Sequence, residues 1–440
     1  MAQKNFVTNR TIVQNSYSNM KRILFLLVSL NAVNLNAQET LTLDSCYAWA
    51  RNNYPLIKRF DLINKTNTYN LDNIEKGNLP QISVSAQATY QSDVTSISIP
   101  NFNVPSLSKD QYKIYVDASK TLYDGGVVNA QKQLQDASSK LESAKIENDL
   151  YALKERIKQI YFGALLLKVQ LEQNALFIGD LNQTQKKVQA AVNNGTAFKT
   201  DVSQIESEIL LQTQKKYEIE SGIASYLQML SAFIKKPIDS VSQLQTPENV
   251  GAYSNMPLQH TYFRPELHLF EQQQSLLDLQ TNTLDVKTKP RVSAFVQGGY
   301  GKPGFNLLKT DFDFFAIGGV RANWNLSSFY TLKNEKELLQ ISKNEIAVQK
   351  ETFLYNADFS LLQQNYEKQK LQKLLQTDDQ IVALKENIRD VAKAKFDNGV
   401  ITLNDYLKEI TAVNQAKYNR ELHKIQIQLN EANRLITLGN

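Results

Sequence analysis

The 440-residue sequence predicts a mainly α-helical protein with a small β part, in which a unit of two strands and two long helices occurs twice. Three observations support this prediction. The chain repeats itself over most of its length, each copy contains two segments of alternating apolar and polar residues, and each copy contains unusually long helical periodicity. The chain has only 16 glycines and 10 prolines, which favours long uninterrupted helices over a loop-rich sandwich.

The first 37 residues are typical of an export signal. The basic segment Met20–Arg22 is followed by the apolar run ILFLLVSL and then by polar and small residues ending at Ala37, a suitable cleavage position. We expect Met20 to be the translation start, residues 1–19 to be an upstream extension, and residues 1–37 to be absent from the mature protein. The alternative interpretation is a short buried helix.

Charge and hydropathy narrow the function classes. Four of the 49 basic residues, and none of the 44 acidic residues, lie in segment 1–37. Without that segment the chain is nearly neutral. Nothing in this balance indicates nucleic acid as a partner. No other apolar run approaches the about 20 residues of a membrane-spanning helix. An exported chain of this kind is periplasmic, secreted or an outer-membrane β-barrel.

Residues that carry chemistry are scarce. The single cysteine, Cys46, excludes an intrachain disulfide framework and a cysteine-based zinc site. It is either a core thiol in an amphipathic helix or, as the alternative, a lipid-anchor cysteine. His260 and His268 have no obvious carboxylate framework, and no phosphate loop, metal-ligand spacing or nucleophile motif occurs. We therefore expect no enzyme, no cofactor and no metal site.

The internal repeat defines the domain organisation. An offset of 210 aligns Pro55 with Pro265, and an offset of 204 aligns most of the following sequence, including the two Asn-Gly pairs. A proline-containing stretch separates the two copies. The predicted organisation is an extension and signal peptide, a first repeat, a linker and a second repeat, at residues 1–37, 38–235, 236–264 and 265–440.

Each copy contains two strand-like segments, predicted at 81–90 and 112–122 in the first copy and at 291–300 and 312–326 in the second. Apolar Val84 and polar Ser83 exemplify the period-2 alternation that gives each segment one apolar face. Strands of about ten residues with one apolar face are typical of transmembrane β-strands, and aromatic residues near their ends fit an interfacial girdle. The alternative is a half-buried sheet in a soluble protein. The aromatic residues at the strand ends are Tyr90, Tyr112, Tyr300 and Trp324.

Long helices follow the strands, predicted at 127–193 and 330–396. Apolar residues recur there at spacings of three and four, which is coiled-coil spacing. At 1.5 Å per residue, a helix of this length is a rod roughly 100 Å long. Shorter return helices are predicted at 198–235 and 402–436. The apolar seams are Leu150, Leu153, Ile157, Ile160, Ala164, Leu167 and Leu171 in the first copy, and Leu374, Thr377, Ile381, Leu384, Ile388 and Val391 in the second.

Both long helices end at an Asn-Gly pair, where glycine can take the left-handed conformation that terminates a helix. Asn194-Gly195 and Asn398-Gly399 are therefore predicted hairpin tips at the end of the molecule farthest from the strands. Asp201 and Asp405 fall in the first turns of the return helices. One interpretation of these two acids is helix capping and favourable charge at a helix N-terminus.

Four strands cannot close a membrane barrel, because bacterial outer-membrane barrels begin at about eight strands and open edges in lipid are prohibitive. Three chains would together supply about 12 strands and a matching number of long helical rods. The predicted object is a homotrimeric tube: a 12-stranded transmembrane β-barrel continued by a periplasmic α-helical barrel. Such a tube is a conduit.

With these features, the sequence resembles the TolC-like outer-membrane efflux factor family over essentially the whole mature chain. The resemblance rests on Leu41-Thr42-Leu43, on Asn52-Asn53-Tyr54-Pro55, on the glycine-containing hairpin tips and on the duplicated order of elements. It implies a passive exit duct of a tripartite efflux pump or a type I secretion system in the outer membrane. A periplasmic adaptor and an inner-membrane transporter are the implied partners, with outer-membrane lipid around the barrel.

The resemblance also assigns roles to the tip residues. It implies that adaptor hairpins contact the tip turns, which here are Asn194, Gly195, Thr196, Asn398, Gly399 and Val400. It implies that Asp405 belongs to an acidic ring that narrows the closed pore, with Asp201 as its counterpart in the first repeat. Two positions depart from the family pattern: Lys408 replaces a second acid and Ile401 an arginine. A ring of Asp405 and Lys408 is nearly neutral, which argues against strong cation selectivity.

A periplasmic coiled-coil adaptor without its own pore is the alternative function. It accounts for the long helices and the export signal, but leaves the four strands and the duplication unexplained.

Overall fold

The computed structural model describes residues 40–439 except 96–99, 101–105, 107, 248–260, 307–308 and 310. The predicted export signal, the predicted start at Met20 and His260 lie outside the described residues. The first repeat contains α1 (Leu43–Asn53), a short 3-10 helix (Pro55–Lys58), α2 (Arg59–Lys76), β1 (Gln81–Tyr90), β2 (Asp110–Tyr123), α3 (Val127–Asn193) and α4 (Lys199–Ile234). The second contains α5 (Pro265–Lys287), β3 (Arg291–Lys302), β4 (Asp313–Asn323), α6 (Ser328–Asp397) and α7 (Leu403–Leu438).

The two long helices run the full length of the helical part. With 67 residues in α3 and 70 in α6, each is about 100 Å long. Away from the strands the packing order across the layer is α4, α3, α7, α6, and near the strands it is α2, α3, α5, α6. Helices α4 and α2 thus share one position in the layer, helices α7 and α5 share another, and α6 forms one edge over its whole length.

Those pairs meet end to end at two joints. At the first joint, the Asn53 side chain donates a hydrogen bond to the carbonyl oxygen of Ile234, the last residue of α4, at 2.9 Å, and Tyr54 stacks on Phe233 at 6.4 Å. At the second, the backbone N–H of Phe263, just before α5, donates to the carbonyl oxygen of Leu438 in α7 at 2.7 Å. Each joint satisfies carbonyl groups that a helix C-terminus leaves without partners.

The four strands form a single antiparallel sheet in the order β1-β2-β3-β4. The register aligns the apolar alternation of neighbouring strands, since Val84 pairs with Val116, Val116 with Gly298, and Gly298 with Ala316. One face of the sheet is therefore apolar across all four strands. Strands β1 and β4 are the two edges, and neither has a further partner among the described residues.

The main hydrophobic core lies where α1 packs on α3 and α4. Cys46 is fully buried in this core, so the interpretation as a core thiol is confirmed and the lipid-anchor alternative is wrong. Thr42 caps α1 by accepting a hydrogen bond from the Ser45 backbone N–H at 3.1 Å. The buried Tyr161 hydroxyl donates to the carbonyl oxygen of Leu41 at 2.7 Å. These contacts hold the Leu41-Thr42-Leu43 motif against the middle of the long helix α3.

The predicted fold class is confirmed in its coarse form, as a mostly helical chain with a small antiparallel sheet. Helices α2 and α5 were not predicted as separate elements, whereas the amphipathic helix expected around Cys46 is α1. Strand β4 is shorter than the predicted 312–326, because its pairing ends where Asn323 lies opposite Arg291, the first residue of β3.

Candidate functional site at the helical tips

The first tip is a helix end closed by hydrogen bonds within its own turn. Gly195 follows α3 in the left-handed conformation, with φ of +75°. The Thr196 backbone N–H donates to the carbonyl oxygen of Ala191 at 2.8 Å, and the Gly195 N–H donates to Val192 at 3.0 Å. This bonding pattern terminates the helix and satisfies its last carbonyl groups. Asn194, Gly195 and Thr196 are all exposed.

The second tip repeats this turn. Gly399 has φ of +71°, its N–H donates to Phe396 at 2.9 Å, and the Val400 N–H donates to Lys395 at 2.8 Å. The Asn398 side-chain amide adds a hydrogen bond to the Ala394 carbonyl oxygen at 2.7 Å. A Cβ atom at either tip glycine would meet no heavy atom within 4 Å. The glycines are therefore required for backbone conformation and not for space.

Asp201 and Asp405 cap the return helices. The Asp201 carboxylate accepts a hydrogen bond from the Phe198 backbone N–H at 3.0 Å. The Asp405 carboxylate accepts from the Thr402 hydroxyl at 2.7 Å and from the Thr402 N–H at 3.3 Å, while that hydroxyl accepts from the Asp405 N–H at 3.2 Å. The second arrangement is a complete capping box. The capping interpretation of both acids is confirmed.

The charge state of Asp405 follows from this geometry. The hydrogen bond from the Thr402 hydroxyl, and then the one from its backbone N–H, hold the pKa of the Asp405 carboxyl below its usual range. Lys408, one turn further along α7 and exposed, lowers that pKa by a smaller electrostatic effect. Asp405 is thus an ionised, solvent-facing carboxylate with a lysine close to it.

Under the tips, the ends of α3, α4, α6 and α7 share a hydrophobic cluster of their own. Phe396 of α6 stacks on Tyr406 of α7 with ring centroids 5.2 Å apart. An ion pair between Lys187 and Asp397, at 3.3 Å, links the ends of the two long helices at the surface. The buried members are Phe177, Leu181, Val188, Ile205, Ala392, Leu403, Tyr406, Leu407 and Ile410. This cluster holds the two tip turns in one body.

Sequence reasoning missed several of these residues. Phe198, directly before α4, was not named among the tip residues and is 78% exposed; Val400 was named, but its 69% exposure was not predicted, so each tip presents one apolar side chain to solvent. Their exposure could not be read from periodicity, because both residues lie in turns between helices. The Lys187–Asp397 pair joins residues 210 positions apart, and no local pattern marks it.

The apolar face of the sheet is the second feature of functional interest. Val84, Val296, Val320 and Phe314 are 62–82% exposed on it. The opposite face is mixed: Arg321 lies over the Phe295 ring at 4.6 Å. No part of the described chain covers the apolar face. A soluble protein rarely leaves so continuous an apolar surface open to water.

Metal-ligating side chains are scattered in the part of the chain described. Among the described residues, no group of three or more His, Cys, Asp or Glu side chains is placed to hold a metal ion. His268 lies 3.7 Å from Glu271 on an exposed helix face, and His423 pairs with Asp378 between α6 and α7 at 2.5 Å. None of the described helices is long and apolar enough to cross a membrane.

The fold combines a layer of helices about 100 Å long with a small sheet whose apolar face is uncovered in the described chain. No family model and no curated protein matches the chain, but solved structures do. The Vibrio cholerae outer membrane protein VceC matches with a TM-score of 0.62 at 15% identity, over 90% of this chain and 96% of that one. The Neisseria gonorrhoeae MtrE outer membrane channel matches at 0.61 and 14%, over 90% and 89%. The Campylobacter jejuni CmeC outer membrane channel matches at 0.60 and 13%, over 90% and 85%.

The chain therefore has the fold of TolC-like outer-membrane channels, as its sequence resemblance predicts. At these identities the likeness establishes the fold.

Proposed function

We propose that this chain forms a passive outer-membrane channel whose helical part extends through the periplasm. The observation that carries the proposal is the sheet: its apolar face is bare across four strands, and both of its edges are open in the described chain. Within lipid such edges must pair, because unsatisfied backbone groups there cost several kcal/mol each. Pairing β4 of one copy with β1 of the next closes the sheet without any change in the fold.

The helical layer supports the same assembly, in which one edge of each copy contacts the opposite edge of the next copy. On α6, which forms one edge of the layer, the predicted seam residues are not buried against α7; Leu384 is 63% and Val391 56% exposed. On α4, at the opposite edge, Leu210 and Tyr217 are 69% and 64% exposed. Because both edges of the helical layer carry exposed apolar residues, α6 of one copy can pack against α4 of the next, which gives a ring of identical subunits. We assign three copies, which supply about 12 strands, more than the minimum of about eight.

In this proposal the tips meet the partner proteins. The exposed turns with Asn194, Gly195 and Thr196, and with Asn398, Gly399 and Val400, contact a periplasmic adaptor, and an inner-membrane transporter supplies the energy. Asp201, Asp405 and Lys408 line the periplasmic entrance, where the lysine offsets much of the acidic charge. Cargo passes through such a duct in either a drug efflux pump or a type I secretion system.

Two measurements test the proposal. The exported protein should fractionate with outer membranes, remain there in high salt, and run as a trimer in mild detergent. Purified trimers should also produce discrete conductance steps in a planar lipid bilayer. A monomer that salt releases from membranes would contradict the channel and favour the alternative of a pore-free periplasmic adaptor.

A further inference from the structure

The apolar face of the sheet is interrupted by one lysine near its helix-proximal end. Lys120 pairs with Ala294 in the register, and Ala294 pairs with Val320. Side chains alternate along a strand, so Lys120 shares a face with Ala118 and Val116. Lys120 is exposed, and its ammonium forms no ion pair or hydrogen bond with any residue that the structure describes.

The opposite end of the same face also carries a lysine, but that one is paired. Lys302 pairs with Tyr112 in the register and its ammonium lies 3.3 Å from the Asp110 carboxylate. From Tyr112 to Lys120 is eight residues of β2, about 27 Å along the strand. Because barrel strands are tilted by about 35–45°, this span covers about 20 Å of barrel height, somewhat less than the about 25 Å height of the apolar band of an outer-membrane barrel. The two lysines thus lie near the two boundaries of the band, at a distance that a long lysine side chain can bridge toward the headgroups.

The surroundings of Lys120 are those of a membrane interface. Leu122, two residues further along, is 61% exposed. Trp324, one residue past β4 at the same end of the sheet, is 57% exposed and donates its indole N–H to the Thr288 carbonyl oxygen at 2.8 Å. An indole fixed in this way, with its ring outward, is typical of the boundary between acyl chains and headgroups. A lysine stem lies along apolar surface while its ammonium reaches toward polar groups.

From this arrangement we propose that Lys120 is the centre of a binding site for an anionic phospholipid of the periplasmic leaflet. The lipid phosphate contacts the ammonium, and its acyl chains lie along Ala118, Val116 and Val296 on the apolar face. The inference rests on the proposed function, because it requires the sheet to lie in a bilayer. Charge complementarity selects the lipid: a bare cation at headgroup level, with no carboxylate of the described chain paired to it, favours a headgroup of net negative charge.

The test compares the lipid retained by wild type, Lys120→Gln and Lys113→Gln. Lys113 is the matched control, because it lies on the same strand and points to the opposite face. Each protein is reconstituted into vesicles of phosphatidylcholine and phosphatidylglycerol, re-extracted in mild detergent, and analysed for bound lipid by mass spectrometry. We expect phosphatidylglycerol to be enriched on wild type and on Lys113→Gln, and its retention on Lys120→Gln to fall about five-fold per site, the factor for one lysine near an anionic surface. Lys120→Arg should keep the enrichment.

The outcomes separate this inference from the proposed function. Flotation of the same samples with vesicles reports insertion. A chain that does not float contradicts the proposed function and this inference with it. If wild type and Lys120→Gln both float and retain equal amounts of phosphatidylglycerol, the inference alone is contradicted. Glycerol phosphate or inorganic phosphate is added in a further arm; displacement of the lipid by either at millimolar concentration would identify a simple anion site and overturn the lipid assignment.

Discussion

The guanidinium of Arg264 donates a hydrogen bond from Nη1 to the carbonyl oxygen of Ile436 at 3.0 Å, although the two residues lie 172 positions apart. The same carbonyl oxygen accepts a hydrogen bond from the Tyr151 hydroxyl at 2.6 Å. Ile436 is in the last turn of α7, where backbone carbonyl groups have no partner within the helix. Side chains from α3 and from the start of α5 therefore donate hydrogen bonds to the C-terminal end of α7. These bonds fix the position of the α7 end at the second joint.

The first prediction concerns Gly439, which ends α7 at this joint. Its φ is +100°, and a Cβ atom there would clash with the backbone carbon of Phe263. Gly439→Ala should therefore combine left-handed strain of about 1–2 kcal/mol with a backbone clash. Gly195→Ala also places an alanine at a positive φ, +75°, but has open space around it and is the control. In urea unfolding, the Gly439 variant should lose clearly more stability; equal losses would contradict the joint.

The second prediction uses two glycines inside α3. A Cβ atom at Gly163 would lie 2.7 Å from the ring of Tyr226 in α4, whereas one at Gly179 would meet nothing within 4 Å. Gly179→Ala should stabilise the protein by about 0.5–1 kcal/mol, because alanine loses less entropy in a helix. Gly163→Ala should destabilise it by about 1–3 kcal/mol through overpacking. Thermal unfolding checks the opposite signs, and a gain in both variants would show that α3 and α4 are not closely packed at Gly163.

The third prediction concerns the only thiol of the chain. Burial raises the pKa of Cys46 to about 12, so at pH 8 the thiolate fraction is more than about a thousand-fold below that of a free cysteine with a pKa near 8.5. Maleimide should label the native protein only after unfolding. The control is Cys46→Ala combined with Ala48→Cys, which places the thiol on the exposed side of α1 and should react at once. Rapid labelling of native Cys46 would contradict the core assignment.

Periodicity identified apolar stripes on the long helices but not what covers them. In α3, Ile157 and Leu153 are buried within the chain, as coiled-coil spacing suggests. In α6 the residues that face α7 are instead Leu361, Leu371 and Val382, while the more regular seam with Leu384 lies outward. A stripe that serves contact between copies and one that serves contact within a chain obey the same spacing. The sequence could not distinguish the two.

The tips were predictable because their chemistry is local. A left-handed glycine and a carboxylate within the first helical turn leave a signature within a few residues, as Gly399 and Asp405 do. The joints were not predictable, because Arg264 and Ile436 meet only through the tertiary fold. Helix α5 also lacks a clear apolar stripe, and none of its residues is fully buried in the described chain.

The fourth prediction separates the two faces of the sheet. Val84 lies on the apolar face and is 70% exposed, whereas the adjacent Ser83 points to the other face. Val84→Lys should cost roughly 2–4 kcal/mol per site if that position is near mid-membrane, while Ser83→Lys should be mild. The yield of trimers in the outer-membrane fraction measures the difference. If both lysines reduce the yield alike, the proposed orientation of the sheet is wrong.

The fifth prediction tests the role of the tips in transport. Gly399→Val places a β-branched residue at φ of +71°, which such residues essentially never adopt, so the turn must rearrange. The turn lies far from the sheet and from the main core, so trimers should still form in the outer membrane, but export should fall. Gly399→Asn is the matched control, because asparagine tolerates the left-handed conformation and should preserve both turn and export. Export is measured as the minimal inhibitory concentration of a pump substrate or as secreted cargo, beside trimer yield. Normal export by the valine variant would contradict the proposal that the tip turn contacts partner proteins. Lost export by both variants would mean that the side-chain volume, and not the backbone conformation, matters there.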